Sequence, residues 1–447
     1  MLKTYFRLSL LLLVLGLQSG VIARACPLCF TPGQSLSESV QETDIVLLAE
    51  FVEAIRKSPD SDPSGCVFRS LEVHKGEWKQ PRIELPRYEF GKPGDLFLMR
   101  GSIKKAKEPD APSSVEWNSP QAITELAFRY LQQAPSTETD GAVRLKYFLK
   151  FFASTDSTIA NDAHGEFAMA KYEDVVAVRD LFPRAKLRQW LSDSDKPENK
   201  GTKIRRGLYG MMLGLCGNTD DAEFLNSYFQ PTPNDEFPLG LDGMLAGYLM
   251  LKGEAGLVRI EDVYSKDQKA NVTDLGCVQK VLNFFWSYEP NRFPKDRLRA
   301  SMRLLLEQPN WAEQVIPDLS RWQDWSAQTR LIAILDERKM EHARKAIVTY
   351  LLISEAAGAK LTPVPEHALV ARKQLALLRE TDRRLIESIE RNLNPAKRTE
   401  SKEPAKTEPP AKLAPAPTTG TQSRGSAAVT GFAILVSVGL LSKTRLA

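Results

Sequence analysis

The distribution of apolar positions changes character once along the chain. Between Asp44 and Gly101 apolar residues come in short runs broken by Gly, Pro and Asp: Ile45-Val46-Leu47-Leu48-Ala49, Val67 to Val73, Ile83-Glu84-Leu85 and Leu96-Phe97-Leu98-Met99. Such β-rich runs with turn residues between them predict the strands of a small barrel or sandwich. Beyond Trp117 apolar residues recur every three to four positions. That spacing predicts helices over 120–133, 141–153, 157–171, 173–181, 184–191, 239–251, 257–264, 271–288, 295–307, 311–319, 326–338, 341–357, 366–378 and 382–393. The Lys-, Pro- and Ser-bearing stretch between the two regions reads as a linker, 103–117.

One stretch of the helical region repeats. From Arg205 to Phe229 the chain reads as a helix, a glycine stop at Gly217, N-cap chemistry at Asn218, Thr219 and Asp220, and a second short helix. Gly210 and Gly214 lie four apart on the first helix, and 33 residues on Gly243 and Gly247 repeat them, with Gly253 as the following stop. An interior helix glycine costs roughly 1 kcal/mol relative to Ala, so paired glycines predict a face where another helix backbone comes very close. Gly217 is expected to be left-handed. Many helices of ten to seventeen residues with short connections predict an α-solenoid of paired helices. In unit length, in the glycine-stopped first helix and in the acidic start of the second, the body resembles HEAT-like repeats. It lacks their usual Pro in the first helix and their regular Asp and Arg positions. The resemblance implies partner binding along a concave surface.

The amino-terminal segment carries a second resemblance. A cysteine pair after the leader, Asp44-Ile45-Val46, Val73-His74-Lys75-Gly76, and Gly94-Asp95-Leu96-Phe97-Leu98 before Gly101 are similar to the netrin-like OB-fold barrel of tissue inhibitors of metalloproteinases. In those inhibitors the first mature residue belongs to a Cys-x-Cys pair that enters the protease zinc site. Here Cys26 and Cys29 are separated by Pro27 and Leu28, so the resemblance implies the barrel and not the inhibition. A redox role for Cys26-Pro27-Leu28-Cys29 lacks a thioredoxin-like βαβ context, haem attachment lacks a following His, and a zinc set of Cys26, Cys29, Cys66 and His74 has no established spacing. The simplest expectation is a disulfide from Cys66 to Cys26 or Cys29. Cys216 and Cys277, on apolar helical stretches, read as buried thiols, with a disulfide between them as the alternative.

Composition adds location. Residues 1–25 have the parts of a secretory signal: Lys3 and Arg7, the apolar run Leu8 to Leu17, and Ala23-Arg24-Ala25 before Cys26. Signal peptidase cleavage after Ala25 is the expectation, lipidation of Cys26 the alternative. The formal charge is +4, but without Lys3, Arg7 and Arg24 the balance is 57 basic against 56 acidic residues, which gives no nucleic-acid footprint. Residues 395–425 are a Pro-, Ala- and Lys-rich tether. The uncharged run Ser426 to Leu441 predicts a transmembrane anchor over 426–442; its helical length of about 24 Å is just short of a bilayer core. Lys443 and Arg445 predict a cytoplasmic tail, 443–447.

The expected protein is therefore a multidomain α+β chain: leader 1–25, OB-like β-barrel 26–102, linker, all-α superhelical body 118–394, tether and anchor. Its expected function is binding of a protein or peptide partner without turnover, cofactor or metal, with the body extracytoplasmic. Two other classes compete: inhibitor-like or metal-binding chemistry in the amino-terminal barrel, and a hydrolytic site between helices. For the latter the sharpest candidates are Asp162 and Glu166, four apart, with His164 between them. The ordinary reading is that Ala160, Ala163 and Phe167 pack while the carboxylates are solvated or cap neighbours. His342 and His367 stand at helix starts without a partner motif, and Gly-x-Ser-x-Gly, Walker A and His-Glu-x-x-His patterns are absent. The stretch carrying Trp311, Arg321, Trp322, Trp325 and Arg330 is the candidate binding rim, although tryptophans so spaced are more often core.

Overall fold

A computed structural model describes residues 28, 33–104, 114–266, 270–337 and 340–393, all within one compact unit. The leader, Cys26, Cys29, the tether and the Ser426 to Leu441 run lie outside the described residues. Among those described, no helix is long and apolar enough to cross a membrane.

The amino-terminal part is an antiparallel sheet entered through a short helix, α1 (Leu36–Gln41), which Ser35 and Glu38 start with a reciprocal capping box. Strands β1 (Ile45–Ile55), β2 (Gly65–Lys75), β3 (Arg82–Leu85), β4 (Leu96–Lys104) and β5 (Ser114–Trp117) lie in the order β3-β2-β1-β4-β5, and β6 (Gln121–Ala122) also pairs with β4. Phe51 stands opposite Phe68, Leu47 opposite Met99, and Gly101 opposite Trp117. The sheet therefore runs through the expected linker: β5 and β6 both lie beyond residue 102. The expected small antiparallel β module is thus present as this sheet, and among the described residues β3 and β5, at its two ends, do not pair with each other.

Alternation along the strands gives the sheet two buried faces. Ile45, Leu47, Ala49 and Phe51 gather with Phe68, Phe97 and Met99 on one, where the rings of Phe51 and Phe97 meet Phe68 with centroids 5.5 and 5.2 Å away. Val46, Leu48 and Leu98, on the other, join the core of the helices. Arg129 also pairs with Glu72 at 2.7 Å, and Phe128 packs edge-on to His74. One face of the sheet thus belongs to the core of the helices, while the other holds an apolar cluster of its own.

The helices are α2 (Glu125–Gln133), α3 (Gly141–Leu149), α4 (Ser157–Met169), α5 (Tyr172–Ala177), α6 (Arg184–Asp193), α7 (Arg206–Cys216), α8 (Thr219–Asn226), α9 (Leu241–Lys252), α10 (Glu254–Ile260), α11 (Val272–Tyr288), α12 (Lys295–Leu306), α13 (Ala312–Arg321), α14 (Gln328–Glu337), α15 (Arg344–Gly358), α16 (Glu366–Thr381) and α17 (Arg383–Leu393). A single apolar core continues from Leu28 to Ile389. The helix expected from Pro120 begins only after β6, at the N-cap Thr124.

The repeated glycines seal one stack. A Cβ on Gly210 would lie 2.6 Å from the Cα of Met244, one on Gly214 would collide with the Cα of Gly247, and one on Gly247 would strike the carbonyl of Gly210. Gly243 meets the backbone of Gly207 in the same way, which extends the contact by one turn. α7 and α9 therefore touch backbone to backbone. Gly217 differs from expectation: its φ of −86° and ψ of −171° are extended. Space, not handedness, requires glycine there, since a Cβ would lie 2.5 Å from the Leu213 carbonyl and 2.7 Å from Asp221 Oδ2. Gly253, at φ +61°, is the stop that needs positive φ.

Candidate functional site

The helix with the acid-base candidates is α4, started by Asp156, whose carboxylate caps the amides of Thr158 and Ile159. Asp162, His164 and Glu166 are all buried, and each is engaged internally. Asp162 accepts from the Leu36 amide and from the Tyr130 hydroxyl, both at 2.7 Å, and burial pushes its carboxyl up to about 6. His164 Nδ1 faces the carbonyl of Ala160 at 2.6 Å, so it carries the proton, and Nε2 accepts from the Tyr209 hydroxyl at 2.7 Å. Burial first, then the nearby Arg205 charge, pushes the imidazole down to about 3, and the ring stacks on Phe152. Glu166 pairs with Arg144, which also donates to the Pro135 carbonyl at 2.6 Å. The three groups thus point to three partners and do not converge. The expectation that the carboxylates are solvated fails, because both are buried on the faces of α4 turned to its neighbours, while Asn161, next to Asp162, stays exposed; their role as caps and clamps on neighbouring elements fits.

The five rim candidates do not form one surface. Trp322 is buried and stacks on Trp286, centroids 4.3 Å apart and nearly parallel. Trp311 donates from Nε1 to Gln279 at 2.8 Å, and Trp325 stacks on His367 at 4.9 Å. Arg330 binds Glu307 at 2.9 Å. These four belong to packing or to ion pairs; Arg321, with Asp318 at 2.7 Å, is the one that borders an open groove.

That groove lies between α13 and α15, with a volume of about 500 Å³. Its apolar wall is made by Ile316, Ala346, Tyr350 and Ile353, the last 36% exposed. Tyr350 is held in place by its hydrogen bond to the Asp324 carbonyl at 2.6 Å and by Trp325 edge-on behind it. Pro317 sits inside α13 and has no N–H for the carbonyl of Glu313, and both residues line the groove. Ser320 Oγ, also in the lining, is buried without a hydrogen-bond partner. An open apolar trough offers area for an apolar side chain of an extended peptide. Pro317 is visible in the sequence, but its opposition to α15 is not.

Cys66, Cys216 and Cys277 carry free thiols. Cys66 is fully buried in the sheet, its Sγ 3.2 Å from the Arg87 carbonyl, and burial raises its pKa. Burial also pushes the Cys216 and Cys277 thiols up to about 11 and about 12. Their low thiolate fraction matches packing residues rather than nucleophiles. Among the described residues no group of three or more His, Cys, Asp and Glu is placed to hold a metal ion. No protein-family model, curated protein or solved structure matches the chain.

Proposed function

We propose that this chain is an exported, membrane-held binding protein whose helical body takes an extended peptide segment of a partner protein in the groove between α13 and α15. The observation that carries the reading is the open groove beside Pro317, walled by Ile316, Ala346, Tyr350 and Ile353 and rimmed by Arg321 and Lys345. Exposed Arg321 and Lys345 on the rim favour an acidic residue beside the peptide's apolar anchor. The HEAT-like and netrin-like resemblances supply the architectural side: a superhelical body with an OB-like module at its amino-terminal end. Export and tethering rest on the leader, the Pro-rich stretch and the Ser426 to Leu441 run.

Selection of a displayed random peptide library on the full-length protein tests the reading. Peptides with an apolar residue next to Asp or Glu should be enriched on wild type and lost on Ala346→Trp, which fills the trough. Equal enrichment on both proteins, or none on wild type, sinks the proposal.

A further inference from the structure

A second cleft, of about 370 Å³, opens where α1, the β4–β6 edge of the sheet and α4 meet. Its lining is polar and includes Ser35, Arg100, Gln121, Thr158, Asn161 and Asp162. Arg100 is the feature that ordinary packing does not explain. It sits opposite Val46 on β4, on the sheet face that packs against the helices. Among the described residues its buried Nε has no partner, and the hydrogen bond of its side chain runs from Nη2 to Gln121 Oε1 at 3.4 Å. Among the described residues no carboxylate pairs with it, whereas Arg144, Arg297 and Arg303 face Glu166, Glu261 and Asp324. Desolvation alone lowers the pKa of Arg100, the sign of a cation held from water without compensation.

The neighbours turn this into a donor-rich site. Gln121 spends its Oε1 on Arg100, and Asn161 spends its Oδ1 on Arg205, so the free ends of both amides are NH₂ groups. Thr158 adds a hydroxyl to the lining. On another wall Asp162 already has its two oxygens engaged by Leu36 and Tyr130. A guanidinium fork, two amide donors and a hydroxyl match the planar or tetrahedral oxygens of an anion. The standing carboxylate of Asp162 disfavours a second negative group on the same ligand.

We infer that this cleft binds a small molecule bearing a single carboxylate or phosphate group, with Arg100 as its anchor. The site is independent of the peptide groove, which lies on α13 and α15.

Titration calorimetry of the full-length protein at low ionic strength tests it, with acetate, inorganic phosphate and chloride as separate probes. One saturable site is expected for acetate or phosphate, and the tighter of the two identifies the headgroup. Arg100→Gln should weaken that site at least about tenfold, the usual worth of one charge-assisted contact. Arg100→Lys, which keeps the charge and loses the fork, should weaken it less, and Thr158→Val, on a different element, should weaken it as well. Absence of a saturable site for both probes overturns the inference, and so does chloride binding of equal strength. Binding that survives unchanged in folded Arg100→Lys and Thr158→Val overturns it too.

Discussion

Two helix stacks in the body follow one plan and close differently. α7 and α9 meet through glycines, with the Cα of Gly247 where a Gly214 side chain would begin. α13 and α15 meet through Ile316, Ala346 and Tyr350, and around Pro317 they leave a groove of about 500 Å³. The first contact has no room for a guest. The second keeps apolar surface open to solvent. On the proposed reading, recognition belongs where side chains hold neighbouring helices apart, and stability where glycines let them touch.

The sharpest way to break this contrast is to force the sealed stack open. Gly214→Leu should lose more than about 4 kcal/mol in urea unfolding, because its side chain must displace backbone rather than a flexible neighbour. A variant as stable as wild type would mean that α7 and α9 part freely, and the distinction would collapse.

Burial elsewhere in the body suppresses charge, which a pH series reads out. The Asp162 carboxyl, pushed up to about 6, favours the fold while protonated; that stability is complete below about pH 4 and is lost as pH rises through 6. His164, pushed down to about 3, must stay neutral in the fold, so its stability is lost as pH falls from about 6.5 toward 3. The two slopes oppose each other between about pH 4 and 6. In Asp162→Asn only the histidine slope remains. The stability of the variant minus that of wild type should rise by about 3 kcal/mol from pH 4 to pH 7. A difference that does not move with pH would show Asp162 to be in free contact with water.

On the open side the effects are smaller. Pro317→Ala restores an N–H for the Glu313 carbonyl and should gain about 1 kcal/mol while reducing peptide capture. Loss of stability would show that the proline is a packing residue. Smallest is Arg330→Ala, which removes a half-exposed pair with Glu307 and should change stability by less than about 1 kcal/mol. A larger loss would extend the sealed region to that surface.

The sealed stack was legible in the sequence and the open one was not. Gly210, Gly214, Gly243 and Gly247 announce themselves because close approach demands glycine on both partners at helical spacing. Gly207 escapes, since only its contact with Gly243 marks it. The buried ion pairs are silent for a different reason. Glu166 takes an arginine 22 residues back, Asp221 one 37 back, and Glu261 one 36 ahead, so no fixed period reveals them. Trp322 looked like a rim residue because its stacking partner, Trp286, is on another helix. The third part of the sheet was hidden in polarity: Ser114-Val115-Glu116-Trp117 is too short and too solvated to stand out, yet β4 pairs with all of it.

The Leu36 amide and the Asp162 carboxylate are 126 residues apart, and the inner face of the sheet is covered by helices that follow it in the chain. During synthesis the sheet is thus made before the surface that completes it. Until α2 to α4 arrive, the cover of Val46, Leu48 and Leu98 on that face is incomplete, and the nascent strands are exposed to wrong pairing.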